Sequence, residues 1–261
     1  MQISVIQNAL LTLAGNRLLA GKPLRKFWPD ASIFVFTQSC RFVDARGAEI
    51  AADPNIWLDR IARRSRGLRL HWIARGPDDW LSSGMANQGA RWIVETASES
   101  CSDLWELTEV IAAREAADRK DWISLYTRIE TGWCKPWTPQ PGVAEMTAQV
   151  LAVTTEAAAF AHEMKITNFE TLYRDALHIL EHGGPAERTP LDAMLLADLT
   201  PEARRLYDGA NAAWQFGGMG SWNDFVFDGA VRERYEALTE RLYRTLCTAI
   251  ATAANSTCPA R

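Results

Sequence analysis

The sequence predicts an α+β fold: an N-terminal antiparallel sheet with helices on one face (residues 1–134), a proline-rich linker (135–142) and a C-terminal helical bundle (143–261). Three observations carry this. Segments that alternate apolar and polar residues at period two fall before residue 134. Pro136, Pro139 and Pro141 then stand within six residues, which forbids helix or central strand. Beyond them, apolar residues recur at steps of three and four. Nine of the eleven tryptophans precede residue 138, so the composition shifts at the same place.

Taken in order, Met1–Gly21 carries Leu10, Leu11, Leu13, Leu18 and Leu19 but lacks a basic start. Gln7, Asn8, Thr12, Asn16 and Arg17 interrupt it, so it reads as an amphipathic helix and not a secretory leader. Pro23, Pro29 and Asp30 end that pattern. Ile33–Val43 is rich in β-branched and aromatic residues, and Asp44–Gly47 turns it into a short strand at Glu49–Ala51. Asp53 and Pro54 suit an N-cap and first helical position, opening a helix to about Arg64. Its buried residues are expected to include Ile56 and Ile61, leaving Arg60, Arg63 and Arg64 wet.

Leu68, Leu70, Trp72 and Ala74 share one face of a strand, with Arg69, His71 and Arg75 on the other. Arg91–Ala97, Leu104–Ala113 and Ile123–Ile129 follow as further strands, and the charged connector Arg114–Lys120 favours an antiparallel meander. Asp78-Asp79 looks like a helix start before Trp80. In the helical half, Val143–Met164 carries one apolar stripe and Phe169–Leu180 a second, stopped by Gly183-Gly184-Pro185. Thr200-Pro201 starts another helix, reaching about Phe216, and Val231–Ala253 marks the last. Stripes of this kind bury against each other as a small bundle.

Composition narrows the function classes. With 261 residues, 48% hydrophobic and 23% charged, the chain has the make-up of a globular protein. The net charge of −4 makes no global case for nucleic acid. Charge is uneven: residues 1–137 hold 18 Lys/Arg against 16 Asp/Glu, whereas 138–261 hold 10 against 16. Five scattered cysteines (Cys40, Cys101, Cys134, Cys247, Cys258) without a C-x-x-C pair suit a reducing, cytoplasmic setting with no disulfide framework. No apolar run is long enough to cross a bilayer, and no sequence motif demands a cofactor.

Three segments offer chemistry. His178-Ile179-Leu180-Glu181-His182 is an H-x-x-E-H, whose imidazoles, four apart on a helix, could hold zinc while Glu181 acts as base. It occupies a final helical turn, where histidines commonly serve the helix dipole. Arg60, Arg63, Arg64, Arg66 and Arg69, with Trp57 and Trp72 nearby, form the one basic cluster and the only nucleic-acid candidate. Phe216–Asp224 places three glycines within four residues, yet no strand precedes it and the phosphate-loop spacing fails. It reads as a helix cap at Gly217-Gly218, a tight turn, and a cap from Ser221 or Asn223, with Trp222 anchoring the corner.

Gly217-Gly218-Met219-Gly220-Ser221-Trp222-Asn223-Asp224, set between an aromatic-ended helix and an amphipathic C-terminal helix, resembles a motif of small bacterial proteins. Some of these look like immunity proteins that neutralise toxins. The resemblance spans Leu206 to about Asn255 and implies occlusion of a partner, with no catalytic residues. The expectation is a protein-binding immunity protein whose partner is a basic toxin domain, steered by charge. Asp192, Asp198, Asp208, Asp224 and Asp228 are the candidate contacts, with Trp222 as an aromatic anchor. A zinc hydrolase using His178, Glu181 and His182 is the alternative, and a nucleic-acid binder a third.

Overall fold

The computed structural model describes residues 3–112, 121–184, 189–217 and 220–259. The connector expected at Arg114–Lys120 lies outside them, as do Pro185, Gly218 and Met219.

Helix α1 (Ile3–Leu19) is buried throughout its middle, from Gln7 to Asn16. The polar residues that interrupt its leucines point inward: Ser124 Oγ donates to Gln7 Oε1, and Asn8 Nδ2 to the Ser4 carbonyl. The amphipathic helix expected there is instead a central helix, wedged between the sheet, α2 (Pro54–Ala62) and α8 (Gly229–Asn255). Hydrogen bonds of Gln7, Thr12 and Asn16 offset most of the cost of burying these polar side chains, while Asn8 Oδ1 has no partner among the described residues.

The sheet has six strands: β1 (Thr37–Asp44), β2 (Glu49–Ala51), β3 (Gly67–Ile73), β4 (Arg91–Ala97), β5 (Ser102–Ile111) and β6 (Trp122–Trp133). Their spatial order is β2-β1-β6-β5-β4-β3. The meander β3 to β6 is antiparallel, as is the β1–β2 pair. The sheet as a whole is mixed, because β6 lies parallel to β1. The chain crosses from β2 through α2 to the far edge, and the returning meander brings β6 in alongside β1. The strand expected from Ile33 begins only at Thr37; Ser32–Phe34 is a 3-10 turn that buries Ile33 and Phe34.

Asp53 caps α2 by accepting the Ile56 N–H at 2.9 Å. Trp57, Leu58 and Ile61 face inward, but Ile56 is 41% exposed, contrary to the expected stripe. Phe42 stacks between Trp57 and Tyr126 at 4.5 and 4.7 Å, filling the sheet–helix layer. A short α3 (Asp79–Ser82) follows β3.

The helical half comprises α4 (Val143–Glu163), α5 (Thr167–His182), α6 (Pro190–Leu196), α7 (Pro201–Ala213) and α8. Of these, α6 was not anticipated. Thr189 and Thr200 cap α6 and α7, accepting the N–H groups of Asp192 and Ala203, and each is followed by a first-turn proline. Helix α8 packs on α4 and α7 and also on β3 and α1, so buried side chains of both halves join in one hydrophobic cluster. Residues 134–142 form a strap against β3, where Trp137 stacks on His71 and Gln140 reaches the Leu70 carbonyl. No helix of the described residues is long and apolar enough to cross a membrane.

Candidate functional site

The Gly-rich corner is a docked, well-bonded structure. Gly217 has φ +91°, and a Cβ there would stand 2.8 Å from Gly84 Cα. Its N–H donates to Asn223 Oδ1, while Asn223 Nδ2 donates to the Leu81 carbonyl, tying the corner to α3. Asp224 Oδ2 accepts the N–H groups of Gly220 and Ser221 at 2.7 and 3.0 Å. Trp222 opens a 3-10 turn, is fully buried, and donates its indole N–H to Thr239 Oγ1 at 3.0 Å. It meets Phe160, Phe169, Tyr173, Phe225 and Tyr235. Trp222 thus anchors the corner from within; the expectation of an exposed partner-facing anchor is corrected.

The candidate acids divide. Asp192 is buried at the start of α6. Asp208, also buried, accepts from Arg204 Nε at 2.6 Å. Asp198 binds Arg17 at 2.8 Å and Lys22 at 2.7 Å, fastening the end of α6 to α1. Burial pushes the Asp198 carboxyl up, but bonds from Lys22 and Arg17 outweigh it and hold it below its ordinary value. These three are structural. Asp224 and Asp228 are exposed and make no salt bridge among the described residues, and Val226 between them is 90% exposed. Elsewhere the acidic surplus is largely paired, as in Glu163–Arg234 across α4 and α8 and Glu240–Arg244 along α8.

The other motifs show little assembly. His178 and His182 stand on the exposed end of α5 with ring centroids 4.8 Å apart, and Glu181 lies 3.6 Å from His182. Among the described residues, no group of three His, Cys, Asp or Glu side chains is placed to hold a metal ion. Arg60, Arg63 and Arg64 are solvent-facing, but Trp57 is buried in the core and offers no base-stacking surface.

A constellation that sequence reasoning missed lies on the strap-covered face. In register, Arg69 of β3 faces Glu95 of β4, and His71 follows on the same side. His71 Nε2 lies 2.8 Å from Glu95 Oε2, Ser102 Oγ donates to Glu95 Oε1 at 2.5 Å, and Arg69 Nη1 stands 4.0 Å from the same carboxylate. Burial pushes the Glu95 carboxyl up, but the bonds from His71 and Ser102 and the charges of His71 and Arg69 win, leaving it below its ordinary value. Trp137 of the strap stacks on the His71 ring at 3.9 Å, and Gln140 reaches the Leu70 carbonyl. Together they border a cavity of about 590 Å³. The signal in the sequence was His71 lying off the apolar face of its strand; nothing local announced that the strap would cover it.

Comparison with known proteins returned no match: no family model, no curated protein and no solved structure aligns with this chain.

Proposed function

We propose that the protein is an immunity-type binding protein that neutralises a basic toxin domain by covering its active site, and that residues 220–228 make the central contact. The observation that carries this reading is the build of the corner. Asp224 and Asp228 are exposed without salt bridges among the described residues, they flank a 90%-exposed Val226, and buried Trp222 fixes the base beneath them. A preorganised apolar residue between acids that make no salt bridge among the described residues suits a basic surface with an apolar notch, because little ordering entropy is lost on contact. Leu81, tied to the corner through Asn223, adds apolar surface, being 51% exposed. Five free cysteines support action in a reducing cytoplasm.

The test couples capture to phenotype. A tagged pull-down at moderate salt should yield a basic partner that arrests growth when expressed alone and is tolerated when this chain is co-expressed. The double variant Val226→Lys/Asp228→Lys, which leaves the Asp224 bonds to Gly220 and Ser221 in place, should fold and lose that protection. Protection that survives both substitutions would exclude the corner, and the absence of any toxic partner would overturn the neutralising role.

A further inference from the structure

The strap-covered cavity has a donor surplus that calls for a ligand, independently of any protein partner. Its acidic groups are already engaged: both Glu95 oxygens are taken by His71 and Ser102, and Glu99 pairs with Arg66. Its donors are not. Lys135 holds its ammonium 5.4 Å from the Trp133 ring centre and meets no carboxylate among the described residues. Arg69 has, among the described residues, its 4.0 Å contact with Glu95 as its one ion pair.

The cavity also has an apolar side, built from Trp133, Pro136, Trp137 and Pro139. At about 590 Å³ it has the size of a small-molecule site and not of a bound water cluster. Two cations beside aromatic and proline surface suit one chemistry: a carboxylate carried on a flat apolar body. We propose that this cavity binds a small aromatic carboxylate, with the anion on Arg69 and Lys135 and the ring against the strap. Arg69 is held by the strand register and Lys135 by the strap, so the ligand would bridge the sheet and the strap.

Benzoate, with its neutral isostere benzamide, is the probe, and binding to the full chain is followed by saturation-transfer NMR and calorimetry. Benzoate should bind saturably, and benzamide at least tenfold more weakly, because the charge-assisted bonds are lost. Lys135→Ala and Arg69→Gln should each weaken benzoate about tenfold or more, whereas Lys135→Arg should retain it. Lys135 is exposed, so its variants leave the fold intact and their near-UV spectra should match the parent. The assignment is overturned if benzoate shows no saturable binding, if benzamide binds equally well, or if the Arg69→Gln/Lys135→Ala double variant binds undiminished.

Discussion

The side-chain amide of Asn255 pairs with Leu70 as a neighbouring strand would: Oδ1 accepts the Leu70 N–H at 2.6 Å and Nδ2 donates to the Leu70 carbonyl at 2.8 Å. Asn16 repeats the arrangement at Leu68, with distances of 2.7 and 3.0 Å. β3 is an edge strand, and unpaired edge groups template pairing with other chains. One asparagine from each of two helices closes this edge from the side.

Removing that closure should cost stability and solubility together. Asn255→Ala strands the N–H of Leu70, a residue with no solvent exposure, so a loss of about 1–3 kcal/mol is expected. Asn16→Ala/Asn255→Ala should lose more and self-associate as concentration rises. Urea midpoints and sedimentation velocity read the two effects. Unchanged midpoints in both variants would show that water replaces the amides at no cost.

Gly209 is a glycine inside a helix, where alanine ordinarily gains about 1 kcal/mol. Here a Cβ would stand 2.3 Å from Leu180 Cγ, because α5 and α7 cross at that point. Overpacking of this kind costs about 1–3 kcal/mol and the branch point cannot swing away, so Gly209→Ala should lower the unfolding midpoint. Combining it with Leu180→Ala should recover part of the loss, a coupling that a double-mutant cycle measures. A raised midpoint in the single variant would sink the close-approach argument.

Much of this architecture was legible in the sequence because local rules and the fold agree. Arg91–Ala97 and Glu49–Ala51 are strands within the expected limits, and Asp53-Pro54 opens α2. What was not legible depends on long-range contact. The parallel β1–β6 pairing follows from where the crossover lands, and the inward polar residues of α1 find partners such as Leu68, 52 positions from Asn16. α6 is only seven residues long, too short to show a stripe. The site was hardest: Asp192 and Asp208 look like surface acids until neighbouring elements bury them, and His71 meets Trp137 only through the strap.

Trp222 should prove to be a stability residue. Trp222→Phe keeps a ring among the aromatic neighbours but loses the bond to Thr239, an expected cost of about 1 kcal/mol or slightly more. Trp222→Ala opens a cavity where Tyr235 also bonds to the Trp222 carbonyl, and should cost about 3–5 kcal/mol. Val226→Ser, on the exposed side of the same corner, should shift the thermal midpoint very little. If Trp222→Ala melts with the parent protein, the corner is not anchored from within.

The Glu95 carboxyl sets a pH dependence with a definite sign. Its folded pKa lies below the ordinary 4.5, so folding favours the ionised form. The contribution is fully present above about pH 4.5, where the carboxyl is ionised folded or unfolded. As pH falls below that value the unfolded chain takes up the proton first, and the contribution disappears as pH drops through the folded value. Glu95→Gln should therefore be less stable than the parent at neutral pH, and the gap should close as pH is lowered toward 3. Asp44, Asp198 and Glu202, whose carboxyls are also held low, act in both proteins and cancel in the difference. Urea midpoints taken from pH 7 to pH 3 provide the measurement. Parallel curves for the two proteins would mean that His71, Ser102 and Arg69 do not favour the Glu95 charge in the folded state.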